Sequence, residues 1–151
     1  MVTVLAAQSA ELVSDLCGTE TILVVDDESM VRNVCAAVLS RAGYRVYSAE
    51  GGDLALQMIK AIPSPVHLAL LDIRMPKMSG PQLVAELLDG GNPASRDIRF
   101  ILMSGYTEPD IGPLAERGIE CCFLQKPFTA ATLLETVRRE LDAAPRPVNR
   151  L

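Results

Sequence analysis

Residues 21–28 read Thr21-Ile22-Leu23-Val24-Val25-Asp26-Asp27-Glu28. A short, nearly continuous β-prone run stops abruptly at three acids. Such a run suits a strand buried on both faces, because a strand with one wet face alternates polar and apolar positions. The acids then mark the carboxyl end of that strand. The same plan returns three times downstream. Val66-His67-Leu68-Ala69-Leu70-Leu71 stops at Asp72, Phe100-Ile101-Leu102-Met103 stops at Ser104-Gly105, and Cys121-Cys122-Phe123-Leu124 stops at Gln125-Lys126-Pro127. Arg45-Val46-Tyr47-Ser48-Ala49 reads as one further strand.

Helical spacing fills the intervals. From Ser29 to Arg41, Val31, Val34, Cys35, Val38 and Leu39 recur on one helical face, and Gly43 stops the pattern. Asp53 to Ile62 repeats it with Ala55, Leu56, Ile59 and Ile62 until Pro63 and Pro65 end it. A helix is predicted over Pro81 to Leu88, then a surface loop over Asp89 to Ser95. The last helix, Thr129 to Leu141, should bury Leu133, Leu134, Val137 and Leu141, with Thr129 as N-cap. In the stretch Thr107 to Gly118, Pro109, Gly112 and Pro113 leave space for only about two turns of helix, from Pro113 to Arg117. Strand and helix alternate with connections too long for hairpins. The predicted class is α/β, a doubly wound five-stranded parallel sheet with helices on both faces.

Composition narrows the function. The 151 residues, 49% apolar and 22% charged, suit one globular domain whose core needs no metal or disulfide staple. Residues 1–19 read as an N-terminal tail or linker, 20–142 as the domain and 143–151 as a C-terminal tail. A formal charge of −5 without a basic stripe argues against nucleic acid as a partner. Cys17, Cys35, Cys121 and Cys122 fit neither a zinc site nor a redox pair, and a reduced, cytoplasmic protein is expected. No apolar window is long enough for a membrane span, and the first basic residue is Arg32, so no signal peptide is expected.

In a doubly wound sheet, ligands bind outside the carboxyl ends of the strands. Collected there, the strand ends offer Asp26, Asp27, Asp72, Ser104 and Lys126. Clustered acids repel one another and imply a cation, and hard oxygen donors without His or Cys suit Mg²⁺. A dication neutralises incoming phosphate oxygens, Lys126 adds a point charge, and Ser104 adds a donor. Together these residues describe a carboxylate that accepts a phosphoryl group as an acyl phosphate.

The strings Ile22-Leu23-Val24-Val25-Asp26-Asp27-Glu28, Leu70-Leu71-Asp72-Ile73-Arg74-Met75-Pro76 with Gly80, Met103-Ser104-Gly105 and Lys126-Pro127-Phe128 closely resemble the receiver domains of two-component response regulators. The resemblance covers about residues 20–142 and implies the flavodoxin-like (βα)5 receiver fold. It implies that Asp72 is phosphorylated by a histidine kinase or a histidine phosphotransfer protein. Asp26, Asp27, Asp72 and the Arg74 backbone carbonyl would hold Mg²⁺, and Lys126 would pair with the phosphoryl group. Ser104 and Phe123 would be the switch residues, and Phe123, lacking a hydroxyl, would be held inward by packing. Arg74 and Tyr106 fall where relatives line the path of the hydrolytic water, and their bulk should slow loss of the phosphoryl group. A cis Lys126–Pro127 bond is expected. The implied output is binding to a downstream protein target, and a homodimer formed on phosphorylation is a further state the resemblance allows.

Each motif has a plainer reading. An acidic pair after a strand is usually a helix-capping turn, Ser104-Gly105 an ordinary turn, and Lys126-Pro127 a solvated strand exit. Four strings in order at four strand ends outweigh these. His67, far from the acidic end, is expected to be structural, and Cys121 and Cys122 should point to opposite sheet faces. A haloacid dehalogenase-like phosphatase also forms an aspartyl phosphate with Mg²⁺. It would require Asp-x-Asp after the first strand and a cap domain. A flavodoxin-like cofactor carrier would require a phosphate loop there. With ten residues after Leu141 no DNA-binding domain is expected to follow. A freestanding receiver and the C-terminal receiver of a hybrid sensor histidine kinase both fit, the latter through Gly18-Thr19-Glu20-Thr21-Ile22-Leu23 and Met103-Ser104-Gly105-Tyr106-Thr107.

Overall fold

The computed structural model describes residues 16–90, 95, 97–105, 111–119 and 121–143. Among the described residues, five strands alternate with five helices: β1 (Thr21–Val25), α1 (Ser29–Arg41), β2 (Arg45–Ala49), α2 (Gly52–Ala61), β3 (Leu68–Asp72), α3 (Gly80–Asp89), β4 (Arg99–Ser104), α4 (Pro113–Glu116), β5 (Cys122–Gln125) and α5 (Ala130–Asp142). All strand pairings are parallel, in the order β2-β1-β3-β4-β5. The apolar runs of β1 and β3 are buried throughout, as central strands covered on both faces should be. The edge strands β2 and β5 are partly exposed.

Strand alternation divides the core into two layers. Leu23, Val25, Ala69, Leu71, Phe100 and Leu102 pack with residues of α2, α3 and α4 on one face. Ile22, Val24, Leu68, Leu70, Ile101 and Met103 pack with Cys35 and Leu39 of α1 and Leu133 and Val137 of α5 on the other. Cys121 joins the first layer and Cys122 the second, so the two thiols do point to opposite faces.

Helix boundaries follow local chemistry. Thr129 Oγ1 accepts from the Thr132 N–H at 3.1 Å and starts α5 where the sequence places the cap. Ser79 and Gln82 form a reciprocal capping box at the start of α3. Gly43, at φ +99°, turns the chain after α1, and any Cβ there would stand 2.6 Å from the Gly18 carbonyl oxygen. α4 is a single turn, shorter than the two turns expected from Pro113 to Arg117: it opens on Pro113 and is closed by Gly118, at φ +66°, whose N–H donates to the Ala115 carbonyl.

Two details differ from the sequence reading. Val34, predicted on the buried face of α1, is 58% exposed, because the layer beneath reaches Cys35 and Leu39. His67 precedes β3 instead of starting it, and its Nδ1 accepts the Thr21 N–H at 2.9 Å. That bond supports the structural role expected of His67 at the end of the sheet away from the acids.

Residues 16–20 lie against the domain. The Gly18 N–H donates to the Ala42 carbonyl, Tyr44 Oη donates to the Leu16 carbonyl, and Arg138 of α5 donates to the Cys17 carbonyl and to Glu20. None of the four cysteines is in a disulfide. Among the described residues, no helix is long and apolar enough to cross a membrane.

Candidate functional site

The chain runs from β1 to β2 on one side, then returns through β3 to the other. The crevice at this reversal, above the carboxyl ends of β1 and β3, is where doubly wound folds gather polar groups. Asp26 and Asp27 follow β1 directly, and Asp72 is the last residue of β3. One oxygen from each of the three carboxylates lies within 4.8 Å of the others. Asp26 is fully buried, Asp72 nearly so, and Asp27 faces solvent.

Lys126, just beyond β5, reaches into this crevice. Its Nζ donates to Asp26 Oδ2 at 3.0 Å and stands 3.4 Å from Asp72 Oδ1. The Lys126 N–H donates to the Ser104 carbonyl at 2.7 Å, and the Lys126–Pro127 peptide is cis, as expected. Asp26 is tied on every side. Its N–H donates to the Ala49 carbonyl, its Oδ1 accepts from the Glu28 N–H at 2.9 Å, and its carbonyl accepts from Arg32 Nη1 at 2.6 Å.

Electrostatics follow from burial. Desolvation raises the Asp72 carboxyl to about 6, the Asp26 charge adds to this, and Lys126 opposes both. Burial also works against the Lys126 charge. Asp26 and Asp72 outweigh it and hold the ammonium above its ordinary value. Beneath the site, burial pushes the Cys35 thiol up to about 11, with Asp26 contributing, so this cysteine remains a neutral core residue.

The remaining sequence-predicted residues fall around this centre. Ser104 ends β4, is buried, and stands one position beyond Met103, the register partner of Asp72. Arg74 lies two residues past Asp72 in the exposed loop before α3. Phe123 is 41% exposed on the edge strand β5. Tyr106 lies outside the described residues, as do Thr107 and Pro109. Arg32 was not singled out by the sequence. Its signal was a basic residue one helical turn into α1, close enough to fold back over the acidic turn.

An all-carboxylate cluster without His or Cys fits a hard dication such as Mg²⁺. Asp26, Asp27 and Asp72 are the residues that could hold it, and the acidic triad is typical of the magnesium site of receiver domains. An ionised Asp72 beside an ammonium is also a nucleophile with charge compensation at hand.

Comparison with known proteins agrees with this geometry. The family model for the response regulator receiver domain matches residues 22–138. The sensor kinase CckA of Brucella abortus (strain 2308) is 34% identical over 135 residues, covering 89% of this chain and 14% of the kinase. The response regulator RR06 of Streptococcus pneumoniae serotype 2 (strain D39 / NCTC 7466) is 41% identical over 117 residues, 78% of this chain and 51% of that protein. The chain thus spans about half or less of the length of these two relatives. Among solved structures, the Vibrio cholerae chemotaxis protein CheY4 aligns with a TM-score of 0.70 at 26% identity, covering 82% of this chain and 99% of that one.

Proposed function

The chain belongs to the response regulator receiver family of two-component signalling, and on that premise we propose that Asp72 is its phosphoacceptor. The observation that carries this reading is the Lys126 ammonium held between Asp26 and Asp72, a hundred positions from the first in sequence. An Asp72 oxygen attacks the phosphorus of a partner's phosphohistidine. The new P–O bond forms as the P–N bond breaks, and the departing imidazole takes the electron pair and a proton. Because the Asp72 carboxyl titrates near 6, it is ionised and nucleophilic at neutral pH. Lys126 remains paired with the negative charge that the phosphoryl group brings. Asp26, Asp27, Asp72 and the Arg74 carbonyl would hold Mg²⁺, which when bound neutralises charge on the transferred phosphoryl oxygens.

The aspartyl phosphate then biases two conformations of the domain. In this reading the Ser104 hydroxyl donates to the phosphoryl group, and Phe123 leaves its exposed position for one held by packing. The output is altered binding to a downstream protein, in the cytoplasm. Identity to the CckA segment favours a second arrangement, in which the chain is the receiver module of a hybrid sensor histidine kinase.

Intact-mass spectrometry after acetyl phosphate treatment tests the acceptor and the metal together. The wild-type chain should gain the mass of one phosphoryl group with Mg²⁺ and none with EDTA. Asp72→Asn should gain none under either condition, and His67→Ala should label as wild type. Labelling that survives in Asp72→Asn would overturn the assignment.

A further inference from the structure

The three acids must be held close together against their mutual repulsion, and two of them are adjacent in the chain. Asp26 is anchored by its carboxylate, through Glu28 and Lys126. Asp27 is exposed, and its direction depends on the peptide that joins it to Asp26. That peptide's oxygen is the atom gripped by Arg32 Nη1, at 2.6 Å. The grip comes from within α1, whose start has no conventional side-chain cap, since the Glu28 side chain makes no cap hydrogen bond. Arg32 therefore joins the helix to the acidic turn at the one backbone unit shared by both acids.

We propose that Arg32 is a positioning residue for the metal site: by fixing the Asp26–Asp27 peptide it sets the angle at which the two carboxylates face Asp72. The inference rests on the reading of this pocket as a Mg²⁺ site. Its sign is the opposite of simple electrostatics. A guanidinium beside a cation site repels the cation, so deleting it should tighten Mg²⁺ binding if charge were what mattered. If positioning matters, deleting it weakens binding.

The test is calorimetric titration of Mg²⁺ into the full chain at neutral pH and physiological salt. Arg32→Met removes the donor and keeps the bulk. Loss of a partner that orients a metal ligand typically costs about 10–100-fold in metal affinity, and the low end, about tenfold, is expected for a backbone contact. Arg32→Lys keeps a donor of similar reach and should hold affinity within about threefold, about 0.7 kcal/mol. Arg32→Gln, too short to span to the oxygen, should behave as Arg32→Met and serves if that variant fails to fold in EDTA-containing melts. Labelling by acetyl phosphate should slow in Arg32→Met at limiting Mg²⁺ and recover at saturating Mg²⁺.

Affinity in Arg32→Met and Arg32→Gln that equals or exceeds wild type would overturn the inference. So would an Arg32→Lys variant as weak as these two. Absence of Mg²⁺ binding by the wild-type chain, or binding unchanged in Asp27→Asn, would instead overturn the reading of the pocket itself.

Discussion

Gly80 ties the stability of the fold to the position of Asp72. It is the first residue of α3 and follows the capping Ser79. A Cβ on Gly80 would lie 2.5 Å from the Asp72 carbonyl oxygen, 3.2 Å from its carbonyl carbon and 3.2 Å from Leu102 Cδ2. Non-bonded atoms settle about 3.5–4.0 Å apart. A methyl group in Gly80→Ala therefore overlaps backbone by roughly 1 Å, and the start of α3 or the end of β3 must give way. Overpacking of this kind costs about 1–3 kcal/mol. The obstacle is main chain in a buried central strand, which argues for the upper half of that range. Alanine's helix preference over glycine offsets at most about 1 kcal/mol. A net loss of about 2 kcal/mol corresponds to about 4–8 °C in Tm for a chain of this size. Circular dichroism melts in EDTA measure it, with acetyl phosphate labelling as a second readout expected to fall because the displaced carbonyl belongs to Asp72. The control is Gly51→Ala. Gly51, the N-cap of α2, is extended at φ −170° and has no heavy atom within 4 Å of its would-be Cβ, so only the weaker capping preference of alanine, about 1 kcal/mol or less, is expected and labelling should be normal. A Tm for Gly80→Ala within about 1 °C of wild type, with normal labelling, would refute the reasoning.

Three further outcomes are expected. Because the folded-state Asp72 pKa of about 6 exceeds the unfolded value of about 3.9, the folded form binds more protons between these limits, and this group's contribution to stability falls as pH rises through that window. Asp72→Asn in EDTA should therefore be more stable than wild type by about 2–3 kcal/mol above pH 6, with the gain vanishing below pH 4, as read by melts across pH. Glu20 shows the opposite sign: its hydrogen bond from Arg138, opposed by burial, holds the carboxyl below its usual range, so its contribution is present at neutral pH and lost in acid. Glu20→Gln should cost about 1 kcal/mol at neutral pH, a difference that closes as acid protonates the wild-type carboxyl. Finally, Arg74→Ala and Tyr106→Ala should speed decay of the phosphorylated chain, by up to about tenfold, or about 1.4 kcal/mol. Unchanged decay in both would remove the idea that their bulk restrains the hydrolytic water.

Much of the site was legible because its residues stand at the ends of unmistakable runs. An apolar run buried on both faces does not readily carry a charged carboxylate, so Asp26-Asp27 after Val25 and the single Asp72 after Leu71 announce both a strand end and a polar site. The start of α4 at Pro113 was legible too, whereas its length came out one turn instead of two because Gly118 closes it early. Arg32 was not legible, because its partner is a main-chain oxygen, so its place one turn into α1 hinted at the acidic turn without showing which atom it would hold. The exposure of Val34 was hidden for a related reason. Helical spacing identifies an apolar stripe, whereas the packing of α1 against the sheet and α5 decides which edge of the stripe is covered.

The sequence by itself determined the elements, their parallel pairing and the polar residue at each strand end, because these depend on local periodicity, chain stiffness and the cost of burying an unpaired charge. Tertiary structure decided the strand order that sets β3 beside β1, and with it the meeting of Asp26, Asp72 and Lys126. It also decided that Asp72 titrates near 6, since desolvation and the field of a neighbouring carboxylate are properties of the assembled crevice, felt by no residue in the extended chain.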